Sequence, residues 1–277
     1  MRLRHGLLWL VLMPAAAMAW GDDCRFTADR AGGVDAKGVE KVVIRAGAGG
    51  LKVLGPANAT RIEARGVACA AKQDLLDQAQ ISVRREGNTV FVETNLPQDA
   101  NGWSLMRNDY AYINLGVALP ANLPVEAIDS SGNADFEDLG ALDLQDSSGD
   151  LDIRRVAGLV SVNDSSGDLN IENAGSVRVS DSSGNVEIHD VRGGVDVEQD
   201  SSGDIRIRKA GGSVHVRQDS SGNIRVEDVR GNVDVDSDSS GDIYAAQVSG
   251  NFTVRDDSSG SVDHDAISGR VDIPKND

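Results

Sequence analysis

Residues 200–222 read DSSGDIRIRKAGGSVHVRQDSSG, closing on the same four residues with which they open. Between the two turns lie two short runs in which apolar and polar residues alternate, Ile205-Arg206-Ile207 and Val214-His215-Val216. A period of two belongs to a strand with one face buried. Ala210, three residues past Ile207 and just ahead of Gly211-Gly212, reads as an inward-pointing corner. The stretch therefore reads as turn, strand, corner, strand, turn. No helical period competes with it.

The turn D-S-S-G occurs eight times, starting at Asp129, Asp146, Asp164, Asp181, Asp200, Asp219, Asp238 and Asp257, at spacings of 17 to 19 residues. Self-similarity at a period near 20 is the mark of a solenoid. The first alternating pair recurs as Leu151/Ile153, Leu169/Ile171, Val186/Ile188 and Ile224/Val226, and the second as Val160/Val162, Val177/Val179, Val195/Val197 and Val233/Val235. The corner residue recurs as Leu139, Val156, Ala174, Val191, Val229, Val248 and Ile267. The predicted fold is all-β, a parallel β-solenoid with 17–19-residue coils over residues 129–273. Right-handed winding is expected by extension of the crossover rule. At about 4.8 Å per coil, eight coils make a rod segment roughly 35–40 Å long.

In such a stack each turn position becomes a column. Gly supplies positive φ at the corner, and Asp and Ser side chains accept nearby backbone N–H groups. Unit charges about 4.8 Å apart repel by roughly 1 kcal/mol in water and by several times more away from it. The eight turn aspartates are therefore expected to form the turn while facing solvent. Calcium-binding rolls of the G-G-x-G-x-D-x-U-x type are a poor match. Asp204 directly precedes Ile205, the same position is Asn in Asn133, Asn185 and Asn223, and each coil has one acidic turn.

The remainder divides as residues 1–19, 20–128 and 274–277. Arg2 and Arg4, an apolar run from Leu7, and Ala17-Met18-Ala19 predict a secretory signal peptide cleaved after Ala19. The run is too short to span a bilayer. Residues 20–128 hold irregular short strands, read as leading coils and an N-terminal cap, with one short helix within 70–79. Trp103, Tyr110 and Tyr112 cluster there, as cap packing or a contact patch. Residues 274–277 are a tail whose Pro274, Lys275 and Asp277 discourage end-to-end pairing. Cys24 and Cys69 are the only cysteines. In an exported chain they are expected to form a disulfide.

The order LKVLG (51–55), ISVRREGNTVFVE (81–93), YINLGVALPANLPVEAIDSSGNADFEDL (112–139) and serial SSG[DN]-[IV]-x-[IV] coils resembles the bacterial "putative adhesin" family. That family is a β-strand-repeat domain of unknown function, related in style to bactofilin solenoids. The resemblance covers roughly residues 40–273 and carries over no catalytic residues.

Charge narrows the function. The chain carries −17, and from residue 129 onward 31 Asp and Glu face 13 Lys and Arg. Contact with nucleic acid or an anionic membrane through this half is opposed. His189 and His215 fall at outward strand positions, and His264 takes an inward slot in the last coil. No phosphate loop, zinc spacing or His-carboxylate cluster is present, and the coil spacing leaves no room for cleft-building loops. The expectation is a non-enzymatic protein without cofactor, catalytic residue or metal ligand, exported to the periplasm or cell surface. It would act as a structural, scaffolding or adhesive element of the envelope, with a protein or polysaccharide partner. A Ca2+-binding solenoid is the alternative, and a polysaccharide-acting β-helix enzyme the third reading.

Overall fold

The computed structural model describes residues 24–97 and 109–274; residues 1–19, expected to be a signal peptide, and Trp103, Lys275 and Asp277 lie outside the described residues. One coil shows how the sequence builds the rod. Ile205–Ala210 and Val214–Asp219 are strands with the same inward pattern, two alternating buried residues and a third three positions later. Ile205 lies in parallel register between Val186 of the preceding coil and Ile224 of the next. Val214 lies in the same way between Val195 and Val233. Repeated over the coils, this makes two stacks of parallel strands, and the inward side chains of both form one continuous apolar core. The chain is a parallel β-solenoid.

Coil length varies for a local reason. Leu139 and Leu142 are separated by two residues, whereas Val156 and Val160 are separated by three. The extra residue shifts the register between Val156 and Leu159 and leaves Leu159 39% exposed. The 19-residue coils carry a second addition just before the acidic turn. Ser180 pairs with Gln199, so Glu198 is the extra residue and the register shifts after Val179.

Each first corner also holds a non-glycine residue at positive φ, from Asp138 (60°) through Lys209 (57°) to Ala266 (52°). That conformation costs an L-residue roughly 1–2 kcal/mol. It is repeated in eight coils because it points the following residue, such as Val191 or Val229, into the core.

The leading region stacks out of sequence order. Lys41–Arg45 lies in parallel between Thr89–Asn95 and Pro124–Ile128. Leu51–Leu54 likewise lies between Ala111–Ala118 and Ala134–Glu137. Residues 41–54 therefore form the coil next to the first repeat, and the later strands Thr89–Asn95 and Ala111–Ala118 lie outside it. The end is closed by antiparallel strands: Arg61–Ala70 pairs with Ala111–Ala118, and Phe26–Asp35 pairs with Arg61–Ala70. Gln80–Glu86 and Thr89–Asn95 form the expected antiparallel pair, and the short helix is Gln73–Gln78.

Cys24 and Cys69 form a disulfide with Cα atoms 5.8 Å apart, fastening the first cap strand to the second. Closing a loop of 45 residues adds about 4 kcal/mol in the chain-entropy treatment. Thiol labelling of the unfolded, unreduced protein is expected to find no free cysteine. Two labelled thiols would show that the bridge does not form.

At the other end, His264 pairs in register with buried Ala245 but is itself exposed, because no further described coil covers it. It stands edge-on to the Phe252 ring at 6.2 Å.

Candidate functional site: the buried aspartate column

The turn aspartates form the turn but do not face solvent. Asp129, Asp146, Asp164, Asp181, Asp200, Asp219 and Asp238 are between 0% and 5% exposed; Asp257, in the last turn, is half-buried. The expected solvent-facing column is thus corrected to an interior one. The reason is strand alternation. In Leu142-x-Leu144-x-Asp146 and Val160-x-Val162-x-Asp164 the period of two carries the aspartate to the buried face. In the longer coils Asp219 follows Val216 by three residues, as corner Ala210 follows Ile207. The aspartate fills at the second corner the place that an apolar residue fills at the first.

In all seven buried aspartates but Asp146, whose two oxygens are both unpartnered, one carboxyl oxygen is tied into the turn. Asp164 Oδ1 accepts the Ser165 N–H at 2.7 Å and the Ser166 N–H at 3.2 Å. Asp181 repeats this with Ser182 at 2.7 Å, and Asp219 with Ser221 at 3.2 Å. The other oxygen, Oδ2, is buried without a hydrogen-bond partner in all seven residues. The second serine of each turn fastens the coils together: Ser221 Oγ donates to the Ser201 carbonyl and Ser240 Oγ to the Ser220 carbonyl, each at 3.2 Å.

Electrostatics follow from this placement. Burial, followed by the neighbouring Asp146 carboxylate, pushes Asp129 up to about 8. Burial and then the flanking aspartates push Asp181 and Asp219 up to about 7. Burial is also the main cause for Asp146, Asp200 and Asp238, each raised to about 6, and for Asp164, which is raised as well. A desolvated carboxylate without an opposite charge favours its neutral form.

A second acidic column lies four residues further along the chain and behaves oppositely. Asp204 Oδ1 accepts the Asn223 N–H at 2.9 Å and its Nδ2–H at 3.0 Å. Those bonds, the backbone one foremost, hold the Asp204 carboxyl below the usual range. Asn185 and Asn223 interrupt the acids here, so like charges are rarely adjacent and amides bridge the coils. The inner column has no such relief.

The column has defined ends. Above Asp129 the equivalent turn is Ala46-Gly47-Ala48-Gly49: Ala46 N–H donates to the Ile128 carbonyl at 2.9 Å and Gly49 N–H to the Ser131 carbonyl at 3.2 Å. A methyl group thus replaces the carboxyl, and the column closes against Ala46. The AGAG turn was readable in the sequence but lacks the acidic signature.

Other candidates stay apart. His189 contacts Glu187 and His215 contacts Asp236, each at 2.8 Å on the outer faces. Tyr110 and Tyr112 stack with centroids 6.3 Å apart. Phe136 and Phe252 are core residues, while Tyr244 lies outside under the Arg225 guanidinium at 4.4 Å. An open depression of about 360 Å3 runs beside it, lined by Arg206, Arg225, Asp242 and Asp263. Among the described residues no group of three or more His, Cys, Asp or Glu is arranged to hold a metal ion, and no helix is long and apolar enough to cross a membrane.

The profile of one family matches residues 77–262, more than half of the chain. The chain belongs to the Toastrack DUF4097 family. The Toastrack match begins in the short helix and ends at the first strand of the last coil, leaving the cap strands Phe26–Asp35 and Arg61–Ala70 outside it. Among solved structures, a "putative adhesin" of Bacteroides fragilis is 12% identical, with 90% of this chain and 98% of that one covered at a TM-score of 0.44. A "putative lipid binding protein" of Parabacteroides distasonis is 16% identical, with 89% and 97% covered at a TM-score of 0.45. A "putative cell adhesion protein" of Clostridium sporogenes is 10% identical, with 90% and 99% covered at a TM-score of 0.27. Among curated proteins none matches the chain.

Proposed function

We propose that this Toastrack protein is a non-enzymatic, exported solenoid serving as a structural, scaffolding or adhesive element of the cell envelope. The observation that carries the reading is the continuity of the rod. From residue 124 to 272 every coil adds two strands in parallel register to the same two stacks, with no insertion rising above the faces. Neighbouring coils cross-link their outer side chains, as in Arg217–Asp196 at 2.8 Å and Arg208–Glu227 at 3.1 Å. Such exposed pairs contribute little stability individually, but they tile the surface with fixed, alternating charge. A rigid rod with a repeating polar surface suits contact with an extended partner, protein or polysaccharide. The Cys24–Cys69 bridge supports an oxidising compartment, periplasmic or extracellular.

The test is cosedimentation of residues 20–277 with isolated envelope fractions, with release of new reducing ends assayed in parallel. Salt-sensitive retention without sugar release is expected. Release of reducing ends would replace this reading with the enzymatic one, and absence of retention would remove the adhesive role.

A further inference from the structure

The geometry points to the inner aspartate column as a proton-binding ladder, in which buried carboxyls of successive coils share protons taken from solvent. Two independent observations carry this. The seven carboxyls are at least nine-tenths buried, and each has an Oδ2 without any donor. They are also stacked in register, at about 4.8 Å per coil, so each faces another carboxyl. A protonated Oδ2–H then donates to the next carboxylate, which removes both an orphaned acceptor and a buried like-charge contact.

The surroundings supply no competing counter-ion. The groups acting on these carboxyls are the N–H groups of the turn serines and the aspartates of adjacent coils, with no Lys, Arg or His among them. Ala46 closes one end and half-buried Asp257 the other. A metal ion suits the column less well. Each gap offers two carboxyls, and among the described residues no group of three is arranged to hold one, whereas calcium takes 6–8 oxygens.

The sign of the pH effect follows from the raised carboxyls. Their folded values of about 6 to about 8 lie above the ordinary 3.8, so the folded state binds more protons than the unfolded one in that window. Their contribution is fully present below 3.8 and is lost as pH rises through about 6 to about 8. Asp204 and Asp196, held low by their partners, work the other way and lose their contribution only in acid.

The test uses the folded chain, residues 20–277, between pH 5 and pH 9. The melting temperature is expected to fall as pH rises, and the infrared carbonyl stretch of protonated carboxyls is expected to persist at pH 6. Asp200→Asn with Asp219→Asn, which replaces two carboxyls by neutral amides, should flatten that fall and weaken the stretch. An unchanged pH slope in the variant, or no protonated-carboxyl stretch at pH 6, would overturn the proposal. Should the variant not fold, unfolding the native chain at pH 6 in weak buffer must release protons; no release would also overturn it. At pH 9, CaCl2 and NaCl at matched ionic strength should act alike. A saturable, chelator-reversible rise with Ca2+ alone would replace the proton ladder by a cation site.

Discussion

Gly222→Ala is expected to lower stability by more than about 4 kcal/mol, a large fraction of the total stability of a typical domain. Gly222 sits at φ 132°, and a Cβ built there would lie 1.6 Å from the Gly203 carbonyl oxygen and 2.6 Å from its carbonyl carbon. Both are backbone atoms of the neighbouring coil, held by the Gly203 N–H to Ser221 carbonyl bond at 3.1 Å and its equivalents along the stack. They cannot rotate away as a side chain would, so the coils must separate. Gly87→Ala is the control. That residue also has positive φ (60°), yet nothing lies within 4 Å of its added Cβ. It should lose only about 1 kcal/mol, the ordinary cost of the left-handed region for a residue with a Cβ. Urea unfolding of the two variants separates steric closure from backbone strain. Equal losses would mean that the turn glycines are required for φ alone.

Val216→Asp is expected to be comparably damaging, at upward of about 4 kcal/mol, because it buries a charge without a partner and leaves a gap in the core. Val216 is fully buried between Val197 and Val235 of the adjacent coils. The strand's own ladder uses the backbone donors around it, so the new carboxylate would find no equivalent of the turn N–H groups that support Asp219. Arg217→Asp, one residue along, should cost far less. Arg217 is on the outer face, and the change removes an exposed pair with Asp196 and adds a charge that solvent screens. Thermal melting of the pair reads the strand register directly. Similar shifts for both would reject the inward and outward assignment.

The comparison of Val216 with Asp219 also shows what could be read from residues alone. Alternation in Val214-His215-Val216 was enough to place two side chains inward, because a strand in a stacked coil has one dry face and one wet face. The eightfold turn was enough to specify the coil, and the paired cysteines the bridge. The positive-φ residues of the first corner were not legible. Lys209 and Gln247 have no intrinsic preference for that conformation, and only the packing of Ala210 and Val248 behind them holds it. The leading strands were legible as strands, but their order was not. Nothing local to Lys41–Arg45 says that residues 89–95 will lie beyond it in the stack.

The aspartate column marks the boundary most clearly. That an acidic turn recurs at fixed spacing, that Gly closes it and that equivalent residues align into columns was legible from residues alone, since periodicity and turn chemistry are local properties. The sequence carried the side of the column too, in Leu142-x-Leu144-x-Asp146, but composition argues against a charged residue in the core. Tertiary structure decided that contest. Stacking covers each turn with the next, the Asp carboxyl gains the turn N–H donors only by pointing inward, and alternation leaves it no outward place. Burial in turn raises Asp219 while the exposed, amide-bridged Asp204 is lowered. Two aspartates of one coil acquire opposite chemistry because a carboxylate's free energy depends on the donors and solvent around it, and these are set only when neighbouring coils close.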